Sequence, residues 1–90
     1  MSRTLSTAEG GWAQARDLVR RGRRTEGLAR LTTLLARNDL SAATAAEAHR
    51  LAAELLIDRE RFGAARRHLK AAAGLEPACA RTFYLTGLVS

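Results

Sequence analysis

Apolar residues recur along this chain at intervals of three and four. That spacing gathers them on one face of an α-helix; a strand would need strict alternation. Trp12, Ala15, Leu18 and Val19 form the first stripe, and Leu28, Leu31, Leu34 and Leu35 the second. His49, Ala52, Ala53 and Leu56 form the third, and Phe62, Ala65, Leu69 and Ala72 the fourth. A fifth stretch crowds Phe83, Tyr84, Leu85, Leu88 and Val89 together. The pattern predicts an all-α chain of about five helices, with no strand and no linker long enough to split it.

Capping and breaking residues set the expected boundaries. Residues 1–6 read as a flexible N-terminus. Helix one runs from Thr7 to about Arg21 behind a Ser6 cap, and Gly22 fits the following turn. Helix two runs from Arg24 to Arg37. Asn38, Asp39 and Ser41 mark a loop. Helix three starts at Ala42 or Ala45 and reaches Ile57, with Thr44 and Glu47 spaced as a capping box. Asp58 to Glu60 turn the chain into helix four, Arg61 to Ala73. Gly74 suits the left-handed residue after a helix end, and Pro77 suits the opening of helix five, which runs to Val89.

The short turns predict antiparallel hairpins. Ala53 and Ala65 are small where helices three and four should cross, with Leu56 and Leu69 as bulk on either side. The chain also repeats itself. An offset of 38 residues pairs Ala15 with Ala53, Leu18 with Leu56, Gly27 with Ala65 and Leu31 with Leu69. It also pairs Ser6-x-x-Glu9 with Thr44-x-x-Glu47. An offset of 34 carries His49 onto Phe83 and Ala53 onto Gly87, so that Phe83-x-x-Thr86-Gly87 reads as the opening of another repeat.

The stretch Thr44 to Pro77, through His49, Ala52-Ala53, Leu56, Ala65, Leu69 and Pro77, resembles the tetratricopeptide (TPR) repeat, whose period is about 34 residues. Ala53, Ala65, Ala72 and Pro77 carry most of the likeness. The resemblance implies hairpins stacked as a short right-handed solenoid. Repeat one is about 7–40, repeat two about 44–76, and the final helix 77–89, all within one domain 7–90. It implies a non-catalytic protein–protein interaction module, a scaffold or adaptor that holds a peptide or partner helix in a concave groove. By the same resemblance Trp12, Arg16, Val19 and Arg20 line that groove from helix one. Arg50, Glu54 and Ile57 line it from helix three, and Arg81, Tyr84 and Leu88 from helix five. Arg between aromatic residues suits an extended acidic peptide or a C-terminal carboxylate.

Composition changes this picture in two places. With 15 basic and 9 acidic residues the 90-residue chain carries a net charge of +6, and 14 of the basic residues are Arg. That balance favours acidic partners. It also keeps one rival in view, a small basic helical nucleic-acid-binding domain using Arg20 to Arg24 and Arg59 to Lys70 on phosphates. The basic residues are scattered, however, and no helix shows a base-reading face. Only four aromatics are present, so a core rests on Leu and Ala. The fifth stripe has no following helix to cover it, which predicts self-association through Phe83, Leu85, Leu88 and Val89.

Candidate chemistry is sparse. His49 and His68 are the two histidines, with no Cys or carboxylate cluster to complete a zinc site. No nucleophile triad, phosphate-binding loop or dinucleotide fingerprint is present. Glu47 and Glu54 share a helix with Arg50 and read as ion-pairing carboxylates. The expectation is no catalytic residue, no metal and no cofactor. Cys79 is alone and forms no intramolecular disulfide. The chain shows no secretory leader and no run of roughly 18 apolar residues, so a cytoplasmic setting is expected.

Overall fold

The computed structural model describes residues 7–37 and 39–89, the first three by backbone alone. The flexible N-terminus expected for residues 1–6, and with it the Ser6 cap, lies outside the described residues. Among the described residues there are five helices: α1 (Thr7–Arg20), α2 (Arg24–Leu35), α3 (Ala42–Asp58), α4 (Phe62–Leu75) and α5 (Ala80–Val89). No strand occurs among the described residues. None of these helices is long and apolar enough to cross a membrane. The chain divides into two compact units, residues 1–40 and 41–90.

In the first unit α1 packs against α2. Arg23 N donates to the Leu18 carbonyl at 2.8 Å, and Gly22 N to that of Val19 at 3.0 Å. These two bonds form a Schellman closure, which satisfies carbonyls left open at the helix end and needs a left-handed residue between them. Gly22 supplies it at φ 85°. Arg23 then enters α2 at φ −89°, ψ 67°. Ala15, Gly27, Leu31 and Leu34 are buried within this hairpin. At Gly27 the helices come so close that an added Cβ would stand 2.6 Å from Val19 Cγ2.

The second unit repeats that closure 38 residues later. Arg61 N donates to the Leu56 carbonyl at 2.9 Å and Glu60 N to that of Ile57 at 2.9 Å. Glu60 holds the left-handed position at φ 59°, and Arg61 enters α4 at φ −93°, ψ 69°. Ala53, Leu56, Ala65, Leu69 and Ala72 are buried, the alanines completely. α5 packs on both α3 and α4, turning Thr82, Leu85 and Val89 inward.

Four local expectations are corrected. The cap of α3 is Ser41, whose hydroxyl accepts from Thr44 N at 3.2 Å. Ala42 and Ala43 favour helix strongly enough to start it before Thr44, which becomes its third residue. Gly74 lies inside α4, which continues through the alanine run Ala71 to Ala73 to Leu75, and among the described glycines only Gly22 has positive φ. What stops α4 is Pro77: it disfavours helical geometry at the residue before it, and Glu76 stands at φ −137°, ψ 83°. Pro77 itself sits in the turn and α5 opens at Ala80. Phe62, expected in the buried stripe, is 40% exposed as the first residue of α4, one turn short of the buried run that begins at Ala65.

Candidate interaction surface

α5 has two unlike faces. Thr82, Leu85 and Val89 recur at three and four and are nearly fully buried. Ala80, Phe83, Tyr84, Gly87 and Leu88 share the opposite face and are all exposed. Phe83 and Tyr84 are each 67% exposed and Leu88 is 49%. Three large apolar side chains on one helical face form a contiguous patch that isolated exposed residues do not. Of the residues expected to self-associate, Phe83 and Leu88 therefore lie on this face, while Leu85 and Val89 belong to the interior of the unit.

Arg50 fixes where α5 sits. It is 7% exposed. Its Nη2 donates to Glu76 Oε1 at 3.0 Å and its Nη1 to Thr82 Oγ1 at 3.4 Å. One guanidinium thus ties α3 to the turn before α5 and to the buried face of α5. A planar group with several donors at fixed angles is suited to holding two acceptors at once. Arg81, at the edge of the open face, donates Nε to Glu54 Oε2 at 3.0 Å and pairs with it again through Nη2. Arg66 of α4 donates to the Val89 carbonyl at 3.0 Å, closing the C-terminal end of α5 against α4. Cys79, just before α5, has its thiol held below the usual range, first by the Thr82 backbone and then by the Thr82 hydroxyl.

The residues assigned to a groove by resemblance thus have different surroundings. Arg50 faces inward with its donors engaged, and Glu54 and Arg81 engage each other. Tyr84 is open. In the first unit Trp12 is 9% exposed, and the Arg16 guanidinium lies over its ring, 5.5 Å from the centroid. Arg16 and Arg20 are exposed along α1. That unit also has a cleft of about 610 Å³ between α1 and α2, lined by Gly10, Gly11, Gln14, Arg30, Leu34 and Arg37 among others. Gln14 holds Arg30 by a 3.1 Å hydrogen bond, and Arg37 is paired with Asp39 through two bonds of 3.1 and 2.7 Å.

Sequence reasoning missed the contact between the two histidines. His49 of α3 and His68 of α4 meet Nδ1 to Nδ1 at 2.9 Å. Burial pushes the pKa of each below its usual value, and His68 is lowered further by His49 and by Arg67. The available signal was that both positions border the buried stripes of adjoining helices. The Arg50–Glu76–Thr82 cluster left no such signal, because its members come from three separate segments. No group of three or more His, Cys, Asp or Glu side chains converges as a metal site among the described residues. No protein-family model, no curated protein and no solved structure matches this chain.

Proposed function

We propose that this chain is a non-catalytic protein-interaction module that receives a partner protein on the open face of α5. The single observation carrying this reading is the division of α5 into a packed face and an apolar face of Phe83, Tyr84 and Leu88 left to solvent. Burying such side chains is worth about 1.5–3 kcal/mol each, and aromatic residues are favoured as anchors in interfaces.

In this reading the module is TPR-like, two hairpins stacked as a short right-handed solenoid, with α5 as the first helix of a third. The repetition of one turn geometry at Gly22 and Glu60 supports it. Binding through α5 is favoured over a groove centred on Arg50, because that guanidinium is buried and engaged. A cytoplasmic setting goes with the same reading. The nucleic-acid alternative gains no specific observation. In its most basic turn Arg21 pairs with Asp17 at 3.0 Å and Arg23 with Glu26 at 3.5 Å.

The test is capture by the immobilised chain, comparing the parent with a Phe83→Ser/Leu88→Ser variant of unchanged helical content. A partner retained by the parent and lost by the variant is expected. Equal capture by both would contradict the reading. Capture of nucleic acid that falls steeply with salt would favour the alternative.

A further inference from the structure

We infer that the open face of α5 docks an acidic amphipathic helix of another protein, seated as α4 is seated on α3. The inference rests on the interaction reading above and specifies its partner.

The register of small and large residues repeats from helix to helix. On α3, Ala46, His49 and Ala53 recur at three and four. His49 meets His68 of α4, while Ala46 and Ala53 are fully buried. Thirty-four residues on, Ala80, Phe83 and Gly87 repeat this spacing on α5. On α1 the same places are held by Gly11 and Ala15, and there too the hairpin partner is close: Leu34 Cδ1 lies 3.0 Å from a Cβ built on Gly11, and Ala15 is fully buried. α1 departs from the pattern in carrying Gly11 where α3 and α5 carry His49 and Phe83, but the small place held by Ala15, Ala53 and Gly87 recurs on all three helices. Twice a helix of the same chain covers it. On α5 no helix among the described residues covers it, and Gly87 has no neighbouring atom within 4 Å of its Cβ position.

A face with small residues between large ones accepts a helix at close range, the large side chains interdigitating with those of the partner. Ala80 and Gly87 are the small positions here; Phe83, Tyr84 and Leu88 are the large ones. The matching partner repeats what α2 and α4 present: Gly27 and Leu31 in one, Ala65 and Leu69 in the other, a small residue followed four positions later by leucine.

Charge selects among helices with that stripe. The chain carries +6. α4, packed against α5, exposes Arg66, Arg67 and Lys70. A second copy of this chain would bring like charge to like charge, whereas an acidic helix is attracted and oriented.

The probe is a synthetic peptide of the α4 sequence, Phe62–Leu75, with blocked ends and with Arg66→Glu, Arg67→Glu and Lys70→Glu. It keeps Ala65 and Leu69 and reverses the charge. The unchanged α4 peptide is the control. Each labelled peptide is titrated by fluorescence anisotropy with the parent chain, with Gly87→Arg and with Phe83→Ser. Gly87→Arg fills the seam without touching the chain's own packing; circular dichroism verifies the fold of both variants. The acidic peptide should bind the parent at least fivefold more tightly than the control and lose at least tenfold on each variant. Equal binding of both peptides overturns the charge argument. No binding of either peptide, while captured partner is still lost on Phe83→Ser/Leu88→Ser, overturns the helical partner and leaves the interaction reading standing. Unchanged binding on Gly87→Arg overturns both. A concentration-dependent dimer abolished by Gly87→Arg assigns the face to a second copy and overturns the proposal.

Discussion

His49 and His68 face each other Nδ1 to Nδ1 at 2.9 Å between α3 and α4. One ring must donate while the other accepts, so the two nitrogens hold a single proton between them. Adding a proton to the accepting nitrogen breaks the bond: that ring becomes a cation, and two N–H groups then face each other. The adjoining helical turns bring alanines to the pair, at 45, 46, 52 and 53 and at 64, 65, 71 and 72. Arg67 is the charged neighbour that bears on it. Glu54 and Glu76 are taken by Arg81 and Arg50, and Tyr84 of α5 points to solvent.

Stability should therefore depend on pH with a definite sign. Both histidines have folded-state pKa values below the usual 6.5. Above that value neither state binds the proton, and the contribution is complete. As pH falls below it, the unfolded chain takes up protons that the folded chain resists, so stability declines until the folded values are passed. The expected result is a melting temperature that drops between pH 7.5 and 5, by roughly 4–8 °C for each kcal/mol lost in a domain of this size. His68→Gln should flatten that dependence. A profile that is level, or that rises toward acid, would show the pair is not coupled to folding.

The matched turns at Gly22 and Glu60 give a paired prediction. Both residues are left-handed, at φ 85° and φ 59°, but only glycine adopts that region without strain. Glu60→Gly should stabilise the second hairpin by about 0.5–1 kcal/mol, after allowing for the added entropy of the unfolded chain. It also removes a negative charge from the C-terminal end of α3, where the helix dipole disfavours it. Gly22→Ala should destabilise the first hairpin by about 1 kcal/mol. Denaturant melts of both variants decide the matter, and effects of the same sign would refute the shared closure.

Packing at the crossings is tight in both units. Ala53 is completely buried, so Ala53→Phe should overpack the α3–α4 crossing and cost about 1–3 kcal/mol or more. Gly27→Ala gains helix propensity of about 1 kcal/mol, yet it should still destabilise, because its methyl meets Val19 Cγ2 at 2.6 Å. Val19→Ala combined with Gly27→Ala should recover part of the loss. Additive effects in that double-mutant cycle would argue against the contact.

Arg50→Ala should loosen α5 in particular. It leaves Glu76 and Thr82 without the guanidinium that joins them, and removing one partner of a buried polar contact costs about 1–3 kcal/mol. Amide exchange should accelerate across 80–89 more than across α4. Uniform acceleration through the second unit would mean that Arg50 stabilises the fold generally and has no special hold on α5.

The helices and their small crossing residues were legible because period and side-chain size are local properties. Ala53, Ala65 and Gly27 are legible as small crossing residues from their spacing alone, as is the turn at Gly22. The ends of α4 and α5 were harder. Gly74 and Pro77 each carry a terminating signal, and the alanine run before Gly74 outweighed the first. Ser41 and Thr44 competed in the same way as caps. Depth was the least legible property. Arg50 and Trp12 stand 38 residues apart on equivalent turns, and both are buried. Nothing local tells a buried, engaged arginine from a solvent-facing one, because its acceptors arrive from Glu76 and Thr82. Likewise α5 is apolar on two faces, and only its packing on α3 and α4 decided that Leu85 and Val89 turn inward while Phe83 and Leu88 do not.

The measurement that bears most directly on the interaction surface is a photo-cross-linking scan of the chain in its native extract. A photoreactive residue is placed singly at 83, 84 and 88 on α5, and at 16, 20, 50 and 67 elsewhere. The account predicts cross-links to another protein from 83, 84 and 88, abolished by Gly87→Arg, and little or none from the other four positions. Cross-links concentrated at 16 and 20, or spread evenly over all seven sites, would contradict it.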